Sequence, residues 1–96
     1  MVKHIVLFQL KDAAEKQQVM NDFKTAIEAL PQVISWIRHI EVRFNTNPSE
    51  AFDIALVSEF DSLEDVKRYA THPDHVAAGK ILAELKENRA CVDYEF

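Results

Sequence analysis

Residues 2–10 constrain this chain more than any other stretch, because they alternate as a β-strand and yet are apolar on both sides. Val2, His4, Val6, Phe8 and Leu10 share one face, and Lys3, Ile5, Leu7 and Gln9 share the other. Such a strand needs cover above and below. The rest of the chain has to supply it, or a partner does.

One cover is written into the sequence. Val19, Met20, Phe23, Ile27 and Leu30 recur at spacings of three and four, which predicts a helix with one buried stripe. Asp12 stands where it could cap that helix, and Pro31 stops it. Residues 34–44 alternate as a second strand, with Ile34, Trp36, Ile40, Val42 and Phe44 against Ser35, Ile37, His39, Glu41 and Arg43. Asn45 to Ser49 have turn chemistry, and residues 52–60 alternate as a third strand. Ser62-Leu63-Glu64-Asp65 resembles a capping box, opening a short helix with Leu63, Val66 and Ala70 on its apolar side. Thr71-His72-Pro73 interrupts it, and Pro73 suits the first turn of another helix running to about Lys86. Residues 89–96 form the last strand, with Ala90, Val92, Tyr94 and Phe96 opposite Arg89, Cys91, Asp93 and Glu95.

The order β-α-β-β-α-β predicts an α+β, ferredoxin-like fold, with a four-stranded antiparallel sheet and all helices on one side. No linker or repeat interrupts residues 1–96, which read as a single domain. The far side of the sheet is then bare. Ile5, Leu7, Ile37, Ala55 and Val57 would lie there, a patch too apolar to leave in water. At about 25 cal/mol per Å², burying several hundred Å² is worth on the order of 10 kcal/mol before association costs. A second copy is the simplest cover, so a homodimeric α/β barrel joined through the open sheet face is expected.

Composition narrows the partners. Apolar residues at 48% and charged residues at 28% describe a globular rather than a disordered chain. A formal charge of −5 with no basic stripe argues against nucleic acid. No apolar run reaches the roughly 18 residues of a membrane span, and the opening segment is too soon polar for a signal peptide. Cys91 stands alone, so no internal disulfide can form, and a reducing, cytoplasmic setting is expected.

Candidate chemistry centres on histidines. His4 sits mid-strand on the helix-covered face, where it is either a core histidine bonded to a backbone carbonyl or Tyr69, or a neutral pocket residue. In Tyr69-Ala70-Thr71-His72-Pro73-Asp74-His75, Pro73 at a helix start puts His75 in the first turn, where the helix dipole discourages protonation. A neutral imidazole there suits a general base, and Tyr69 lies one turn before the break. The bland alternative is that His72 caps and His75 packs. His72 and His75 could share a metal with His4, but His72 falls in the break and no acidic cluster completes a site, so no metal is expected. Cys91 reads as a small buried apolar residue. Glycine-rich phosphate loops and nucleophile elbows are absent.

Lys3-His4-Ile5-Val6-Leu7-Phe8, Phe52-Asp53-Ile54-Ala55-Leu56, Phe60-Asp61-Ser62, Tyr69-x-x-His72-Pro73-x-His75 and Val92-Asp93-Tyr94 together resemble the stress-responsive α/β-barrel (Dabb) domain family, over residues 2 to 95. The resemblance implies a dimeric ferredoxin-like barrel. By likeness to a plant polyketide cyclase of the family, it implies a pocket between sheet and helices, with His75 as base and Tyr69 as its partner. His4, Val6, Phe8, Phe23, Ile27, Leu56 and His72 are its expected lining. Arg43 stands where the family commonly has a glycine that would permit a bulge, so pairing of the second strand is expected to differ locally. Phe8 and Leu56 bring bulk, so the pocket is expected to be small. The function expected is a non-catalytic module, binding a small ligand or serving as a structural dimer. The alternative is a cofactor-free enzyme, cyclase-like, isomerase or monooxygenase, using the His75/Tyr69 pair.

Overall fold

The computed structural model describes all residues from 1 to 96. Its elements are β1 (Val2–Leu10), α1 (Lys16–Glu28), a 3₁₀ turn at Leu30–Gln32, β2 (His39–Phe44), β3 (Ile54–Phe60), α2 (Leu63–Thr71), α3 (Pro73–Lys80) and β4 (Lys86–Glu95). The four strands form one antiparallel sheet in the order β2-β3-β1-β4. This is the ferredoxin-like α+β architecture that the element order implies. No helix is long and apolar enough to cross a membrane.

The period-two pattern of β1 decides which side is core. Val2, His4, Val6, Phe8 and Leu10 are buried, while Lys3, Ile5, Leu7 and Gln9 are half-buried. Across the pairing, Ile54, Leu56, Ser58 and Phe60 of β3 join the buried side. Phe23 and Ile27 from α1, Val66 and Tyr69 from α2, and Leu82 after α3 complete that core. On the other side Ile5 stands between Val57 and Val92, and Leu7 between Ala55 and Ala90. These two rows form an apolar strip that no element of the chain covers.

Several local expectations are corrected. Asp12 does not cap α1: Glu15 occupies that place without a side-chain bond, and Asp12 instead accepts from Lys16 Nζ at 3.3 Å. Lys16 is drawn there because it also pairs with Asp53 at 2.9 Å, whose second oxygen accepts from the Leu10 amide at 2.7 Å. β2 begins at His39, since Ile34 and Ile37 are both buried as anchors of an irregular segment, three residues apart. Ile37 therefore belongs to the core and not to the open face. Val66 and Tyr69 form the buried side of α2, whereas Leu63 and Ala70 are exposed. α3 ends at Lys80, and turns anchored by Leu82 and Leu85 lead into β4.

Arg43 causes no break: β2 pairs with β3 in continuous register from His39↔Glu59 to Phe44↔Ile54. The irregularity lies elsewhere, between Gln9↔Asn88 and Leu10↔Lys86, where the register skips Glu87. The outer edge of β2 is guarded by α1: Lys24 Nζ donates to the Val42 carbonyl at 2.7 Å, and Glu28 accepts from the Val42 amide at 3.0 Å.

Candidate functional site

The break between α2 and α3 is made by His72. It ends one helix and caps the next with extended backbone, and its Nδ1 accepts from the Asp74 amide at 3.1 Å. Pro73 follows at the first helical position, which needs no amide hydrogen. His72 thus spends its ring on the cap and on Trp36, 6.1 Å away, and lies outside the cavity below. Ile27 is likewise in the core and not on the cavity wall.

Three residues later His75 turns inward. Its Nδ1–H donates to the Ala70 carbonyl at 2.9 Å, and because a carbonyl can only accept, the neutral ring keeps its lone pair on Nε2. Burial lowers the His75 pKa, the Ala70 carbonyl works the other way, and the neighbouring basic groups His4, Arg89 and His72 add to the lowering. Burial is thus the largest of the causes that favour the neutral ring. Tyr69 packs against it with ring centroids 4.3 Å apart, and against Phe60 at 5.0 Å and His4 at 6.1 Å. The Tyr69 side chain is fully buried, and its hydroxyl has no hydrogen-bond partner. Burial pushes the phenol far above its ordinary range, so it remains a donor.

His75 walls a cavity of about 160 Å³ together with His4, Val6, Phe8, Phe23, Leu56, Ala70, Gly79, Lys86 and Arg89. Such a volume matches the roughly 150 Å³ apolar cavity that holds one benzene molecule. His4, Val6, Phe8, Phe23 and Leu56 are thus brought together with His75. Tyr69 is packed between His4 and His75 rather than standing on the wall itself.

His4 does not bond a backbone carbonyl or Tyr69. Its Nδ1–H donates to the Asp93 carboxylate, directly opposite on β4, and the Cys91 sulfur lies 3.7 Å from the same nitrogen. Cys91 is exposed and not buried as its residue type suggested; partial desolvation of the sulfur and the nearby Asp93 charge push the thiol upward. His4, Cys91 and Asp93 carry donor atoms within 4.8 Å of one another and are the three side chains best placed to hold an ion. At present those donors engage each other. The sequence reading missed Asp93 and Cys91 because they lie 89 and 87 residues from His4. The pairing of first and last strands could have found them, since it sets 4 against 93 and 6 against 91.

A four-stranded sheet backed by three helices, with a histidine-walled cavity between the layers, defines a ferredoxin-like domain with a pocket. The family model described as "Stress responsive A/B Barrel Domain" (Dabb) matches residues 2–96, and the chain belongs to that family. A dimeric protein of unknown function with a ferredoxin-like fold from Bacteroides fragilis is 70% identical, with a TM-score of 0.96 over 99% of this chain and 95% of that one. Two stress-response A/B barrel domain-containing proteins of Arabidopsis thaliana are 36% and 31% identical over 82% and 97% of this chain. The chain spans only 30% and 46% of their lengths. The olivetolic acid cyclase of Cannabis sativa is 24% identical over 97% of this chain and 94% of its own.

Proposed function

We propose that this chain works as a homodimeric ligand-binding domain over residues 1–96, its copies joined through their open sheet faces, each holding one compact molecule beside His75. The dimer is supported by the uncovered strip of Ile5, Leu7, Ala55, Val57, Ala90 and Val92, and by the dimeric state described for the 70% identical relative. A lone, exposed thiol suits a reducing, cytoplasmic setting.

The buried Tyr69 hydroxyl carries the ligand reading. A purely structural core has no use for a fully buried donor without an acceptor, which costs about 1–3 kcal/mol. Its ring is packed against the two histidines that wall the cavity, so a bound acceptor meets the hydroxyl once either histidine turns aside. The test is a fragment screen by protein-observed NMR with molecules of benzene to benzoate size. Binders are expected to shift the amides of His4, Ala70 and Gly79 and to weaken in His75→Ala and Tyr69→Phe. Binders that ignore both changes would remove the site.

A second reading has its own observation: a neutral His75 with a free Nε2 lone pair is a general base in waiting, and the Tyr69 phenol packed behind it would serve as hydrogen-bond donor to a developing oxyanion once the ring is uncovered. In this reading the domain is a cofactor-free enzyme that removes a proton from carbon next to a carbonyl. Incubation with small ketones and keto acids in D₂O would show deuterium entering that carbon, and His75→Ala would abolish it. Because the His75 pKa is lowered, the base stays unprotonated as the pH falls through 6.5, and the acid limb of the exchange lies below that value.

A further inference from the structure

The cavity's charge pattern goes one step past its volume. The chain carries more acid than base, and its other arginines are each matched to a carboxylate: Arg38 with Asp61 at 2.7 Å, Arg43 with Glu41 at 2.9 Å, Arg68 with Asp65 at 3.0 Å. Arg89 has no carboxylate partner, and it stands on the cavity wall. Its neighbour there is the Cys91 thiol. The one carboxylate close by on the same face of β4, Asp93, is held by His4. Lys86, the other cation on the wall, is also unpaired. Unpaired lysines occur elsewhere on this surface, but Arg89 is the one arginine without a carboxylate, and the cavity wall holds it beside Lys86 with no acidic residue in the lining.

The backbone adds an independent sign. Lys86 and Arg89 are three apart, so on a regular strand their side chains would point to opposite faces. The register shift that skips Glu87 sets Lys86 opposite Leu10 and Arg89 opposite Phe8, both on the helix side. A bulge that re-aims one side chain is a familiar device beside a binding site. Here it turns a second cation toward the same space.

We propose that the pocket takes a compact organic monoanion, a carboxylate on an apolar body of about benzene size, with Arg89 and Lys86 clamping the carboxylate at the exposed rim. The proposal rests on the ligand-binding reading above and names the ligand class of the same cavity. Val6, Phe8, Phe23 and Leu56 enclose the apolar body, and the planar Arg89 guanidinium offers the paired donors a carboxylate prefers. His75, neutral, leaves the clamp as the main source of positive charge.

The probes are benzoate and benzamide, alike in shape and different in charge, titrated by NMR into the full chain at fixed ionic strength. Benzoate is expected to bind at least tenfold more tightly. Arg89→Gln should erase that preference by weakening benzoate at least tenfold and benzamide by much less, with amide shifts remote from the cavity unchanged as the sign of an intact fold; Lys86→Gln should reduce the preference by a smaller factor. If benzamide binds as well as benzoate, the clamp is wrong and the pocket reading stands. If the preference survives both substitutions, the two cations are not its source and the clamp is again wrong. If neither probe binds at millimolar concentration, the ligand-binding reading falls and takes the clamp with it.

Discussion

β1 and β4 are neighbours in one sheet, paired from Val2↔Glu95 to Leu10↔Lys86, and their surroundings differ completely. β1 alternates buried and half-buried residues along its whole length, whereas all ten residues of β4 are exposed. The helical layer roofs β1 and its neighbour β3 and stops short of β4. On the helix side this leaves a shelf where Arg89, Cys91 and Asp93 stand beside the cavity; on the open side it leaves Val92 and Tyr94 bare at 53% and 43% exposure. A strand with nothing to cover in its own chain is free to serve a ligand on one face and a second copy on the other.

Phe8 and Arg89 make the sharpest test, because they face each other across the two strands on the same side of the sheet. Phe8 packs edge-on against Phe23 with ring centroids 5.5 Å apart, so Phe8→Ala is expected to cost about 3–5 kcal/mol in urea unfolding. Arg89→Ala should change stability by about 0.5 kcal/mol or less. Similar losses from the two would mean that β4 is covered on its helix side after all.

The open side comes next. Val92→Asp places a charge beside Ile5 in the strip assigned to the dimer. It should weaken the dimer at least 100-fold, equivalent to about 2.7 kcal/mol, as read by sedimentation velocity across a concentration series. A variant that stays dimeric would remove this face from the interface. A wild-type chain that is monomeric and stable at micromolar concentration would remove the dimer itself.

The contrast between the strands also marks how far the sequence could be read. β1, β3 and the buried stripe of α1 were legible because each has a regular buried period set by one core, interrupted in chemistry only by His4 and Ser58. The start of β2 was misplaced because Ile34 and Ile37 are buried without a strand, and burial at a spacing of three beside alternating neighbours imitates one. Within the site, the Tyr69-to-His75 segment was legible through its proline, which fixes a helix break and sends His75 inward while His72 caps. The roles of Asp93, Cys91, Arg89 and Lys86 were not, for they depend on cross-strand register and on a bulge. No local pattern encodes either.

Tyr69→Phe probes the covered region in the opposite sense from Phe8→Ala. Deleting the hydroxyl removes a buried donor that has no acceptor, so the ligand-free protein should gain about 1–2 kcal/mol while ligand affinity falls. Thermal unfolding with and without a fragment binder separates the two effects. A loss of stability in the free protein would reveal a partner for that hydroxyl.

Gly79→Ala gives the smallest effect and measures where the roof ends. Gly79 lies in α3 on the cavity wall, with no positive φ, so alanine can take its backbone conformation without strain. A Cβ at this position meets nothing within 4 Å, so the methyl enters open space. Alanine in a helix is favoured over glycine by about 0.5–1 kcal/mol, and with no clash to offset it that gain should appear in full in urea unfolding. Gly79 is part of the cavity wall, so fragment binding is expected to weaken modestly while the dimer is untouched. If Gly79→Ala instead destabilises, the methyl meets a neighbour and the open space beside α3 is filled.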